Sequence, residues 1–187
     1  TAENEKRGEV RKFSYDTQTY EGDASHPMHK EAWVYLPCGY DESRKYNVLY
    51  LLHGGGANQD WWFKDYPDTV TILDNMMAKK ICEPCIIVTP TYYRGEEADK
   101  DMDITEHFRY ELRRDLIPAV ESAFSTWTEG DVSEENLVKT RSHRAFAGLS
   151  LGSMTTYRAA FYNNFALFSW YGPFSGCCGP QGERDPE

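Results

Sequence analysis

The stretch Arg144-Ala145-Phe146-Ala147-Gly148-Leu149-Ser150-Leu151-Gly152 decides the fold. The residues from Arg144 to Leu149 read as a strand and Met154 to Tyr162 as a helical stretch, so a serine flanked by glycines stands where a strand turns sharply into a helix. A turn this tight holds its central residue in a strained backbone conformation, and side chains two residues to either side would collide with neighbouring structure. Glycines at 148 and 152 remove that collision. The turn also aims the backbone N–H of Leu151 and the start of the helix at the space beside the Ser150 oxygen, which favours a developing negative charge. The plainer use of the same pattern is a glycine-rich helix entry capped by a serine.

Working outward, Val48-Leu49-Tyr50-Leu51-Leu52 is a continuous apolar run that ends abruptly in His53-Gly54-Gly55-Gly56. Such a run reads as a central strand buried on both faces, delivering a tight loop to the sheet edge. Three glycines let that loop bring a backbone N–H close to a substrate carbonyl, with Gly55 expected to partner Leu151 in an oxyanion hole. His53 reads as an organiser that bonds backbone rather than as a base. Cys85 to Thr89 is a second central strand stopped by Pro90, and the acidic stretch Thr91 to Asp103 reads as a surface loop. Lys12 to Thr17 and Ala32 to Leu36 alternate with period two and read as antiparallel edge strands. Asp68 is placed to cap a helix running to about Lys80, with Ile72, Leu73, Met76 and Met77 on its buried side. From Thr105 to Phe124 apolar residues recur every four positions, predicting a long helix bent at Pro118. Thr126 to Ser142 is polar and reads as a surface excursion, and Phe168 to Tyr171 as a last strand. Strands alternating with helices predict an α/β fold: a mostly parallel sheet with helices on both faces and ligands at the carboxyl ends of its strands.

The 187 residues suit one domain, taken as 1–187. A net charge of −10 argues against a nucleic-acid partner, which is met by clustered Lys and Arg. No apolar run is long enough to span a bilayer, so no membrane partner is expected, and Thr1 opens no signal-peptide pattern. Cys38, Cys82, Cys85, Cys177 and Cys178 are odd in number, so complete internal pairing is excluded. The Cys82 to Cys85 spacing lacks a second pair at zinc-ribbon distance and reads as a turn into a buried strand. No metal site is expected.

Four ordered blocks, Leu51 to Asn58, Ile86 to Pro90, Asp115 to Pro118 and His143 to Gly152, resemble those of the feruloyl esterase and acetylxylan esterase family, over about Ala32 to Gly172. Ser153 stands where the family has a second glycine after the elbow. The resemblance implies an α/β-hydrolase fold and cofactor-free ester hydrolysis in two steps, with Ser150 as nucleophile of an acyl-enzyme and Gly55 and Leu151 as oxyanion donors. It implies a feruloylated or acetylated xylan or a small ester as substrate, and secretion. Trp61, Trp62 and Tyr92 are the candidates for holding an aromatic acyl group or a sugar, and they favour feruloyl over acetyl. An acetylxylan or general carboxylesterase is the rival enzyme, and a non-catalytic carbohydrate-binding or interaction protein the rival outside enzymology.

In this fold the catalytic acid and then the histidine follow the nucleophile, yet no histidine follows Ser150 here. Glu183, Asp185 and Glu187 crowd the polar C-terminus and receive no role. His143 is expected at the far end of the nucleophile strand and His107 at a helix opening. The expectation is therefore a fold incomplete at its C-terminus, with weak or absent turnover and exposed edges that favour a homo-oligomer.

Overall fold

The structure, a computed structural model, describes residues 7–94 and 104–176. Six strands form one sheet in the order β1-β2-β4-β3-β5-β6. β1 (Glu9–Gln18) and β2 (Pro27–Leu36) make an antiparallel hairpin, and β2 joins β4 (Cys85–Thr89) antiparallel through Trp33↔Thr89 to Tyr35↔Ile87. From there β4, β3 (Asn47–Leu52), β5 (Arg144–Leu149) and β6 (Trp170–Phe174) run parallel. The apolar run of residues 48–52 is thus a central strand, and its carboxyl end stands between those of β4 and β5.

Alternation along the strands divides the core between the two faces. One face presents Val48, Tyr50, Leu52, Ile86, Val88 and Phe146 to a group of helices. These are α2 (Ile104–Glu111) and α3 (Ile117–Ala123), with Phe108, Leu112, Leu116 and Val120, and the helix after the elbow, with Ala159 and Ala160. The other face presents Tyr35, Leu51, Ile87 and Ala147 to Phe63 and to α1 (Asp68–Ala78).

The long helical stretch is divided in two just upstream of its proline. A π-helical turn, Leu112–Leu116, separates α2 from α3, and Pro118 lies in the first turn of α3. Proline has no N–H to donate back along the helix, and the wider turn just upstream accommodates that loss.

Four expectations need correction. Ile72 is 57% exposed, and no residue of α1 is fully buried; Leu73 and Met77 are partly buried where that side of the helix packs on the core. Asp68 makes no capping hydrogen bond, and Pro67 holds the N-cap position. The polar stretch 126–142 contains α4 (Glu134–Lys139), and Thr126 and Thr128 are buried, their hydroxyls bonded to each other. The last strand begins at Trp170 rather than Phe168, which is fully buried under it. Among the described residues no helix is long and apolar enough to cross a membrane. Residues 95–103 of the acidic loop, and Cys177 and Cys178 with Glu183, Asp185 and Glu187, lie outside the described residues.

Candidate active site

At the carboxyl end of β5, Ser150 has φ 54° and ψ −109°, a conformation that non-glycine residues avoid and that persists only where surroundings impose it. The imposing contacts are close. A Cβ on Gly148 would lie 2.4 Å from the Gly152 carbonyl oxygen, and one on Gly152 would lie 2.5 Å from the His53 carbonyl oxygen. The strained turn leads directly into α5 (Leu151–Thr155), one residue after the serine. From the other side, the Ser150 N–H donates to the Phe174 carbonyl at 2.8 Å, fastening the end of β6 to the elbow. The Ser150 residue itself is exposed.

The glycine loop lies against this turn. A Cβ on Gly54 would stand 3.5 Å from the Ser150 Cβ, and one on Gly55 would stand 3.8 Å from the Leu151 Cβ. His53 and the Ala57 N–H, which donates to the Gly54 carbonyl at 3.3 Å, set the loop's orientation together. The His53 ring is 1% exposed, with Nδ1 2.7 Å from the Gly54 carbonyl oxygen and Nε2 2.8 Å from the Thr91 hydroxyl. A carbonyl can only accept, so Nδ1 carries the proton and Nε2 accepts from Thr91. Burial and the nearby Lys30 charge push this imidazole down to about 4, against the opposing pull of its Gly54 bond, so it is neutral at ordinary pH.

That bond has a geometric consequence. In a planar trans peptide the C=O and the N–H point in opposite directions, so a Gly54 carbonyl turned toward His53 turns the Gly55 N–H away from it. The Gly56 N–H is already used, donating to the Tyr93 hydroxyl at 2.9 Å. Among the described residues, no turn, loop or side-chain acceptor takes the Gly55 or Leu151 N–H. Two donors are left over beside an exposed serine.

The expected aromatic residues are distributed unevenly. Trp61 and Trp62 occupy a π-helical turn, Trp61–Asp65, and both are half-buried. The Trp62 indole N–H donates to the Leu52 carbonyl at 3.2 Å, at the root of the glycine loop, and Trp61 packs on Tyr66. Tyr92 is 1% exposed and its ring lies 4.6 Å from that of His53, beneath the loop rather than open to solvent. Its neighbour Tyr93 is the more accessible of the pair and reaches the loop directly.

No histidine is bonded to Ser150. His29 pairs with Asp16 and His107 bonds the Tyr20 carbonyl. His26 lies in the β1–β2 connection, across the sheet from β5. His143 stacks on Trp127 at 4.0 Å and bonds Asn47, at the amino end of β5 as its sequence position suggested. Sequence reasoning missed Thr91 and Tyr93 as supports of the loop, and Phe174 as the acceptor behind the nucleophile. Nothing in the structure explains the Ser153 hydroxyl, which is buried with no partner among the described residues.

A strained serine at a strand-to-helix turn, with the glycine loop of the neighbouring strand packed against it on a mostly parallel sheet, is the arrangement of the α/β-hydrolase fold. The chain belongs to the Esterase family, described as "Putative esterase", whose family model matches residues 25–183. It is 37% identical over 143 residues to endo-1,4-beta-xylanase Y of Acetivibrio thermocellus, covering 76% of this chain and 12% of that protein. Among solved structures it is similar to the feruloyl esterase module from Clostridium thermocellum, a serine-to-alanine mutant complexed with sinapinate. That likeness has a TM-score of 0.75 and 33% identity, covering 89% of this chain and 53% of the other. It is also similar to a ferulic acid esterase from Anaeromyces mucronatus, with a TM-score of 0.73 and 25% identity, covering 91% and 60%. The chain thus spans about half the length of these solved esterases, and much less of the xylanase.

Proposed function

We propose that this chain carries the nucleophile and oxyanion donors of a serine esterase that hydrolyses feruloyl, or hydroxycinnamoyl, esters of plant cell-wall xylan. The observation that carries the reading is the strained Ser150, φ 54°, with Gly54 and Gly55 packed against it and its following residue. Ser150 Oγ attacks the ester carbonyl, the carbonyl oxygen gathers charge between the Gly55 and Leu151 N–H groups, and the alcohol leaves an acyl-enzyme that water resolves. A base must take the serine proton and return it to the leaving alcohol. None of the five histidines of this sequence is in place for that, so the 187-residue chain by itself is expected to turn over weakly.

The feruloyl assignment is supported by relatives named as feruloyl esterases and xylanases, and by Trp61 and Trp62 flanking the loop. A polymeric cell-wall substrate favours action outside the cell. Exposed Phe161, Phe165, Trp170 and Phe174 along and beside β6 favour self-association through that edge. Hydrolysis of methyl ferulate, compared with acetylated xylan and short acetyl esters, tests the specificity. Release of ferulate at a rate that Ser150→Ala abolishes is expected. Cleavage of acetyl esters alone would transfer the chain to the acetylesterases, and a Ser150 inert to fluorophosphonates would favour a non-catalytic shell.

A further inference from the structure

Beneath the glycine loop lies an ion pair that the ester chemistry does not use. Lys30 and Glu111 are 5% and 3% exposed, and Lys30 Nζ donates to both Glu111 carboxylate oxygens, at 2.8 and 2.9 Å. The Tyr15 hydroxyl donates to the same carboxylate at 2.6 Å. Replacing such a pair with apolar side chains of similar volume is often neutral or stabilising, so stability gives no reason for it. Its position does. β2 pairs with β4 only over Trp33 to Tyr35, and past Thr89 the two chains separate. Pro90 has no N–H to extend the ladder, leaving residues 91–93 without a strand to lie on. Lys30 crosses the gap and donates to the Thr91 carbonyl at 2.6 Å.

Thr91 is the residue whose hydroxyl meets His53, and His53 in turn holds the Gly54 carbonyl. From the ammonium, the path to the oxyanion peptide runs through Thr91, then the imidazole, then the Gly54–Gly55 peptide unit. We propose that Lys30 and Glu111 are positioning residues that hold Thr91, and through it His53, in the one arrangement that turns the Gly55 N–H toward Ser150. This rests on Gly55 being an oxyanion donor, as argued above. Glu111 holds the ammonium through both of its carboxylate oxygens while Tyr15 fixes that carboxylate, so Lys30 is anchored where it meets the Thr91 carbonyl. The Lys30 charge also opposes protonation of His53, which keeps Nε2 an acceptor for Thr91.

The test is amide and imidazole hydrogen exchange by NMR on the 187-residue chain. It is run for the parent, for Lys30→Met combined with Glu111→Met, and for Thr91→Val and Thr91→Ser. In the double variant the His53 Nδ1–H and Gly56 N–H should exchange at least tenfold faster, while Tyr50 and Leu51 amides in β3 stay within twofold of the parent. Thr91→Val should do the same and Thr91→Ser should not. Unchanged loop exchange in a folded double variant overturns the proposal. If the double variant does not fold, unchanged exchange in Thr91→Val overturns it. Where the parent hydrolyses methyl ferulate, kcat should fall at least tenfold in Thr91→Val with KM within twofold, and a raised KM with unchanged kcat counts against the positioning role. A parent with neither hydrolysis nor phosphonylation at Ser150 bears on the esterase reading alone, and the exchange result still decides the positioning role.

Discussion

Ser150 keeps φ at 54° because both flanking positions two residues away are glycine and because Phe174 holds its N–H. The two kinds of glycine at the site therefore differ in tolerance. Gly148→Ala drives a methyl into the Gly152 carbonyl and should cost about 2–3 kcal/mol, as overpacking does. Gly55→Ala meets nothing nearer than 3.8 Å, so it should leave the melting temperature close to the parent. Paired thermal melts separate the two. His53 offers a second residue-scale prediction. Its folded pKa, about 4, lies below the unfolded value of about 6.5, so the unfolded chain binds the extra proton between these limits. This contribution to stability is complete above pH 6.5 and is lost as pH falls toward 4, amounting to about 3 kcal/mol. Urea titrations across that range should show the slope, and His53→Gln should flatten it. The role of His53 was legible in the sequence because a histidine heading a glycine run has few other uses. Thr91 was not, since a threonine after Pro90 carries no local signal of what it will meet across the sheet.

Among the elements, the strands were readable and the helix boundaries less so. β4 begins and ends where the apolar run does, with Pro90 supplying a hard stop, and β3 is fixed by its glycine loop. α1 was readable as an element and its inward face only in part: Leu73 and Met77 pack on the core while Ile72 points away from it, because a four-residue apolar spread around a helix exceeds what one packed edge covers. The start of β5 holds a feature with no pattern at all. Arg144 is 1% exposed and binds the Glu121 carboxylate of α3 at 2.5 and 2.9 Å, while also donating to the Leu137 and Leu167 carbonyls. One side chain thus ties the nucleophile strand to three segments. Arg144→Met leaves Glu121 charged and buried, and should cost about 4 kcal/mol in urea unfolding. Adding Glu121→Leu should return only part, since the two carbonyls stay without their donor. Full recovery in the double variant would show those carbonyl bonds to be dispensable.

At the scale of the molecule, the order of strands and helices gave the sheet, its mostly parallel sense and the elbow at the carboxyl end of its strand. The thiols at Cys82 and Cys85 end as the sequence suggested, in a turn and at a strand start, both unpaired. Burial pushes Cys85 up to about 12, which leaves it a poor nucleophile. What the sequence pattern could not supply is how the aromatic residues near β6 are displayed. Trp170 is 64% exposed and Phe165 52%, apolar surface of the kind that association buries. Light scattering should find association that rises with concentration and that Trp170→Lys reduces; a monomer at all concentrations would remove the self-association proposal.

The central claim is that Ser150 and the amides of Gly55 and Leu151 form one anion-stabilising site. Titration of the 15N-labelled chain with a cinnamyl boronic acid, whose boron adds to a serine oxygen to give a tetrahedral anion, tests it most directly. The account predicts that the Gly55 and Leu151 amide protons move downfield together, saturate with one Kd, and stay still in Ser150→Ala. Those two amides remaining in place while the boronate binds, or binding that survives Ser150→Ala unchanged, would contradict it.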